Sequence, residues 1–221
     1  MKVAAHQPHF LPWAPYFRKI EAADVFVILG DVQFRKNYYQ NRCRIYNPEG
    51  VSVWLTVPVN HRFGQKINEV QISDPKWFDN IDGKLNAYYR GCNYFNQIWT
   101  EDLREVCAGS EKSLHILNVR TLMDIMSILK MYDTQVLTDA EFTGTSTNPT
   151  QRLVDICTDL HATEYLSGPG GRNYLELERF EKAGIKVTYL EGPGEDVSIM
   201  DSLFRCGPEA TMERIQRKDT V

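Results

Sequence analysis

The chain has 221 residues, 43% of them apolar and 24% charged, a composition that argues for a folded globular protein and against disorder. Its formal charge of −4 gives no general electrostatic reason to bind nucleic acid or an anionic membrane. No apolar run reaches the ~18 residues that a transmembrane helix needs.

The first strand is expected at 2–6, KVAAH, followed by a helix over 15–23. Val3, Ala4 and Ala5 run directly into the polar pair His6-Gln7, which is not a signal-peptide pattern. A second strand is expected at 24–30, DVFVILG, a third at 51–59, VSVWLTVPV, and a fourth at 67–73, INEVQIS. Helical spacing of apolar residues then predicts helices over 75–90, 95–108 and 111–131, the last apolar on more than one side and so the central packing helix. TQVLTD at 134–139 returns to a strand. Asn148 and Pro149 then stand as N-cap and first helical residue of the next helix. A strand at 162–168, a helix over 173–183 stopped by Gly184, and a strand at 185–192 complete the alternation. SIMDSLFRCG at 198–207 reads as a short helix capped by Ser198.

Strand–helix alternation at both ends predicts an α/β fold, a mostly parallel Rossmann-like sheet with flanking helices and a helical middle segment. A single α/β domain over 1–221 is expected, with a helix-rich insertion at about 75–131. Five cysteines, an odd number without a CxxC pair, point to reduced thiols and a cytoplasmic chain rather than a disulfide scaffold or thiolate zinc site.

In a parallel sheet, ligands sit at the carboxyl ends of strands where the winding direction switches. Three unusual stretches fall at such ends. HQPHFLPW follows the first strand, and its prolines fix φ, so a stiff loop holds His6 as a candidate general base. Gln7, His9, Trp13 and Tyr16 are its candidate ligand contacts. A histidine near a strand end is more often structural than catalytic, and the His6–His9 spacing with no third ligand does not make a metal site. GDVQFRKNYYQNRCRI follows the second strand. Asp31 there is a candidate to orient His6, while Gln33, Phe34, Asn41 and Arg42 mix polar and aromatic groups suited to a polar ligand with rings or a phosphate. The plain alternative is a solvated loop. YLSGPGGRNYL contributes Ser167, Gly168, Arg172 and Asn173 at a glycine-rich turn where backbone N–H groups can approach an anion. Read without a ligand, it is a turn with Asn173 as N-cap.

These segments resemble the WbqC-like family, named for a protein encoded with bacterial O-antigen genes. The matching stretches are HQPHFLPWAPYF at 6–17, DVQFRKNYYQNR at 31–42, WLTVPV at 54–59, YLSGPGGRNYL at 165–175 and SIMDSLFRCG at 198–207. Two features depart from the family pattern: Gly30 stands where a second acidic residue is usual, and EGPGEDV at 191–197 is short. The resemblance implies a bacterial cytoplasmic enzyme acting on small molecules in polysaccharide or specialised-metabolite biosynthesis. The reaction expected from it is acyl or aminoacyl transfer to an amine, such as an amino sugar. The thioester donor would be carried by coenzyme A or an acyl carrier protein, with no further cofactor required. His6 would deprotonate the amine, Asp31 would orient His6, and donors near Ser167 and Gly168 would hold the oxyanion.

An alternative is a nucleotidyltransferase or adenylate-forming ligase, in which His6 and His9 would touch ATP phosphates with magnesium; the H-x-x-H spacing is similar to the HxGH signature, but Pro8 replaces its glycine. A non-catalytic partner in a biosynthetic complex is the third class.

Overall fold

The computed structural model describes residues 1–108, 112–143, 146–191 and 196–217. Its centre is a five-stranded, all-parallel sheet of β1 (Lys2–His6), β2 (Val25–Ile28), β7 (Gln135–Thr138), β8 (Glu164–Ser167) and β9 (Lys186–Tyr189). The spatial order is β7-β2-β1-β8-β9. From β1 the chain winds out through β2 to β7, then returns to the far side of β1 for β8 and β9. The winding therefore reverses between β1 and β8, whose registers pair Ala4 with Leu166. This is the α/β Rossmann-like fold expected from the strand–helix alternation.

Strands covered on both faces need apolar residues throughout, and β2 (VFVI) is buried at all four positions. One face of the sheet presents Val3, Ala5, Val25, Val27 and Tyr165. These pack on Leu153, Ile156 and Cys157 of α5 (Pro149–Asp159) and on Phe180 of α6 (Leu177–Lys182). The other face turns Ala4, Phe26, Ile28 and Leu166 into the larger core. There they meet α1 (Ala14–Glu21), α4 (Leu114–Ile128) and α7 (Ile199–Gln216) through residues such as Phe17, Ile20, Ile125 and Phe204. Among the described residues no helix is long and apolar enough to cross a membrane.

The segment between β2 and β7 carries two antiparallel hairpins outside the main sheet. One pairs β3 (Arg42–Tyr46) with β4 (Ser52–Thr56), the other β5 (Val59–Asn60) with β6 (Gln71–Ile72). It continues through α2 (Trp77–Tyr89), a π-helical stretch (Asn96–Leu103), α3 (Arg104–Ala108) and α4.

Several expectations shift here. The polar stretch 30–45 contains β3, because Cys43 and Ile45 alternate inward while Arg42 and Arg44 face out. The expected strand at 67–73 opens as a 3₁₀ turn over Ile67–Glu69, since Ile67 and Val70, three apart, both point into the core, and only Gln71–Ile72 is strand (β6). The helix expected from 173 begins at Leu177, because a 3₁₀ turn occupies Pro169–Asn173, so Asn173 is not its cap. The Ser198-capped helix runs on past Gly207, whose φ of 81° and following Pro208 kink it. Of the stretch 191–197, residues 192–195 lie outside the described residues, as does residue 111 at the expected start of the central helix.

Candidate functional site

The loop after β1 occupies the edge where the winding reverses. Two buried side chains fix it from outside. Gln40 Nε2 donates to Gln7 Oε1 at 2.7 Å, and Asn118 Nδ2 donates to the carbonyls of Gln40 (2.7 Å) and Pro8 (3.4 Å). The Phe10 N–H donates to the Tyr39 carbonyl at 3.0 Å, and Leu11 takes a left-handed φ of 43°. Stiffness thus comes from these cross-links as much as from Pro8, Pro12 and Pro15.

His6 is half-buried at the end of β1, its Nδ1 3.0 Å from the Gln7 carbonyl. A carbonyl only accepts, so neutral His6 carries its proton on Nδ1 and leaves a lone pair on Nε2. Tyr16 OH donates to the same carbonyl at 3.1 Å. The His9 ring lies edge-on to His6 at 4.6 Å and is enclosed by Trp13 (5.1 Å), Tyr16 (5.6 Å), Tyr38 (5.6 Å) and Tyr39 (6.0 Å). It is only 1% exposed, and among the described residues neither of its ring nitrogens has a hydrogen-bond partner.

Sequence reading missed Lys19. It lies on the buried face of α1 and is 8% exposed. Its Nζ donates at 3.4 Å to the carbonyl of Ala5 on β1, and a β-carbon on Gly168, after β8, would lie 3.9 Å from it. The ammonium therefore sits between the two strands where the winding reverses, and no carboxylate pairs with it among the described residues. The available signal was spacing: Lys19 is three residues from Tyr16 and next to Ile20, on the face those buried residues define.

Burial pulls the Lys19 pKa down to about 8. Burial, with the Lys19 charge second and the Gln7 carbonyl opposing, pulls His6 down to about 3. Burial, then His6 and Lys19, holds His9 well below its ordinary value. Burial at the carboxyl end of β1 thus favours neutral imidazoles at His6 and His9.

The expected His6–Asp31 pair is not formed. The Asp31 carboxylate is bound by Lys66 and, at 3.4 Å, by Arg152 Nη2, and the Lys66 hydrogen bond leads the causes that lower its pKa. The Gln7 carbonyl orients His6 instead. Gly30 has a physical reason: a β-carbon there would lie 2.6 Å from Cε1 of His115, and Asp139 supplies a carboxylate to the N–H groups of Gly30 and Asp31.

The remaining expected residues divide. Trp13 and Tyr16 line the histidine cage. Gln33 is exposed, and Phe34 is buried in the core with its ring 5.1 Å from His61. Asn41 donates to the Val57 carbonyl at 2.9 Å, a structural role. Arg42 donates to the Asn37 carbonyl and stacks on Trp54 at 3.9 Å, outside the cage. The Ser167 hydroxyl donates to the Gly168 carbonyl at 3.1 Å, so it is spent within its own turn. Arg172 pairs with Glu191 and stacks on Tyr189 at 4.4 Å, and Asn173 is exposed.

The sequence profile of the WbqC-like protein family matches residues 7–213. A curated relative, "Uncharacterized protein Rv1507c" of Mycobacterium tuberculosis (strain ATCC 25618 / H37Rv), is 33% identical over 225 residues, covering 95% of each chain. No solved structure matches. The profile spans β1's loop, the glycine-rich turn and the kinked last helix alike, and on that extent the chain belongs to the WbqC-like protein family.

Proposed function

We propose that the chain is a biosynthetic acyl or aminoacyl transferase that forms an amide, with the crevice between β1 and β8 as its reaction site. The observation that carries this reading is the His6 tautomer: Nδ1–H is held by the Gln7 carbonyl, and Nε2 is left as a base beside a cation. The acceptor amine would attack the thioester carbonyl carbon while passing a proton to His6 Nε2. The C–S bond would then break, and the thiol would leave with that proton returned from the imidazolium. Coenzyme A or an acyl carrier protein would present the donor, and an amine such as an amino sugar would be the acceptor. With the Ser167 hydroxyl spent, the oxyanion donors narrow to the backbone around Gly168.

The assay is thiol release from coenzyme A thioesters in the presence of nucleotide-linked amino sugars. Wild type should form amide, and His6→Ala should lose about 10²–10⁴-fold in rate, the usual contribution of a positioned base. An unchanged rate in His6→Ala sinks the assignment.

One observation favours a second reading, nucleotidyl transfer. Two imidazoles three residues apart stand at the end of the central strand, next to an unpaired lysine where the winding reverses. That arrangement also suits ATP phosphates with magnesium. Release of pyrophosphate from ATP, without any need for a thioester, selects it over acyl transfer.

A further inference from the structure

Lys19 poses a problem that the acyl-transfer reading leaves open. A buried ammonium is costly to desolvate and is normally paired or hydrogen-bonded. Here it has one long contact, 3.4 Å to the Ala5 carbonyl. His9, whose ring feels the Lys19 charge, is 1% exposed, and among the described residues neither ring nitrogen has a partner, although at least one carries a proton in any state. Lys19, with one long contact, and His9, with none among the described residues, are thus two buried groups that can donate.

Prolines remove backbone donors from the loop after β1. Pro8, Pro12 and Pro15 have no N–H, the Phe10 N–H is taken by Tyr39, and the Tyr16 N–H by the Trp13 carbonyl. Parallel sheets of this order commonly hold phosphate on free N–H groups of a glycine-rich turn after the first strand. In this chain that turn is proline-rich rather than glycine-rich, and the side chain of Lys19 brings positive charge to it.

Resting on the reading that this crevice is the reaction site, we propose that Lys19 anchors a phosphoryl group of the substrate between β1 and β8, with His9 as a second N–H donor. A charge needed only for a transient oxyanion would remain uncompensated throughout substrate binding, whereas a phosphoryl group compensates it from the first encounter. Coenzyme A, phosphopantetheine and nucleotide-linked sugars all carry such a group. Its negative charge would also offset the Lys19 field that depresses His6, so the base gains strength only when substrate is present.

Calorimetric titration of the full chain with inorganic pyrophosphate tests this without any turnover. Wild type should bind, and Lys19→Met should bind about ten- to hundredfold more weakly, the range for a lost charged hydrogen bond. Lys19→Arg should retain part of the affinity, and Lys66→Met should stay within about twofold of wild type. The melting midpoint of Lys19→Met should equal or exceed that of wild type, because an unpaired buried charge is removed. His9→Phe, which keeps a ring in the aromatic cage, is the second variant and should also weaken pyrophosphate binding. Coenzyme A and uridine diphosphate, titrated separately, then show which source of the phosphoryl group binds more tightly.

Three results overturn the proposal: pyrophosphate affinity unchanged in both Lys19→Met and His9→Phe, malonate binding as tightly as pyrophosphate, or no pyrophosphate binding by wild type. Lys19-dependent binding in a protein that forms no amide supports the subsite and removes only the transfer reading.

Discussion

At Gly171 the backbone runs against the Ser167 hydroxyl so closely that a β-carbon there would overlap Oγ, with Leu175 Cδ1 at 3.0 Å. The glycine is needed for close approach rather than for φ, and it folds the turn after β8 back toward the strand end. Gly171→Ala should therefore destabilise by about 1–3 kcal/mol, the cost of overpacking a closed site. Adding Ser167→Ala removes the obstructing oxygen and should recover part of that loss. Denaturant titration of the single and double variants measures the coupling, and simple additivity would show that the Ser167–Gly171 contact is not the cause. The pair also explains why Ser167 is a poor oxyanion donor: its hydroxyl serves the turn that places Gly168 beside Lys19.

The elements around the site were unequally legible in the sequence. The sheet strands stand out as short β-branched or alanine-rich runs ended by polar residues, and α5 announces itself through Asn148, whose side chain accepts from the Gln151 N–H as its cap position requires. β3 does not stand out, because RCRIY alternates cysteine and isoleucine with arginines whose outward stacking on Trp54 is a tertiary fact. Lys19 was hidden for a related reason. A lysine on an amphipathic helix reads as solvated until the strands that bury it are placed. The cage of aromatic rings was visible as composition, but the residue that locks its loop, Asn118 on α4, lies 110 residues from Pro8 and gives no local sign. Asn118→Leu keeps the volume but leaves the Gln40 carbonyl without its donor, and should cost about 1–3 kcal/mol. Thermal unfolding should register that as a fall of several degrees for a chain of this size. An unchanged midpoint would mean that water replaces the amide.

Across the whole molecule, the histidine cage links stability to pH. The tyrosines of α1 and of the segment after β2, together with Lys19, keep both imidazoles neutral, and Asp31 is committed elsewhere to Lys66 and Arg152. The folded chain takes a proton on His6 only near about pH 3, whereas the unfolded chain does so near 6.5. Between those values the unfolded state holds more protons, so stability falls as pH falls, by up to about 1.4 kcal/mol per pH unit for each histidine. Lys19 acts in the same sense at the other end: from about 8 to 10.5 the unfolded state again holds the extra proton, and stability rises with pH. Urea unfolding at about pH 5 and pH 7 should give a clear difference that His6→Leu with His9→Phe largely removes. Asp31→Asn should leave that difference in place, because its carboxylate is ionised in both states across this interval. A slope that survives the double histidine variant would place the acid sensitivity elsewhere.

The strand order has one more consequence, for the growing chain. Within the sheet β1 is synthesised before the other four strands, yet its β8 side stays open until residues 164–167 have been made, because no segment between them pairs with that side. Throughout that interval Val3, Ala4 and Ala5 present a free, apolar strand edge of the kind that pairs with other chains. A ribosome that stalls or terminates before β8 would release a chain carrying that edge uncovered. The strand that ends in the site's histidine is, during synthesis, one that leaves an apolar edge open to pairing with other chains.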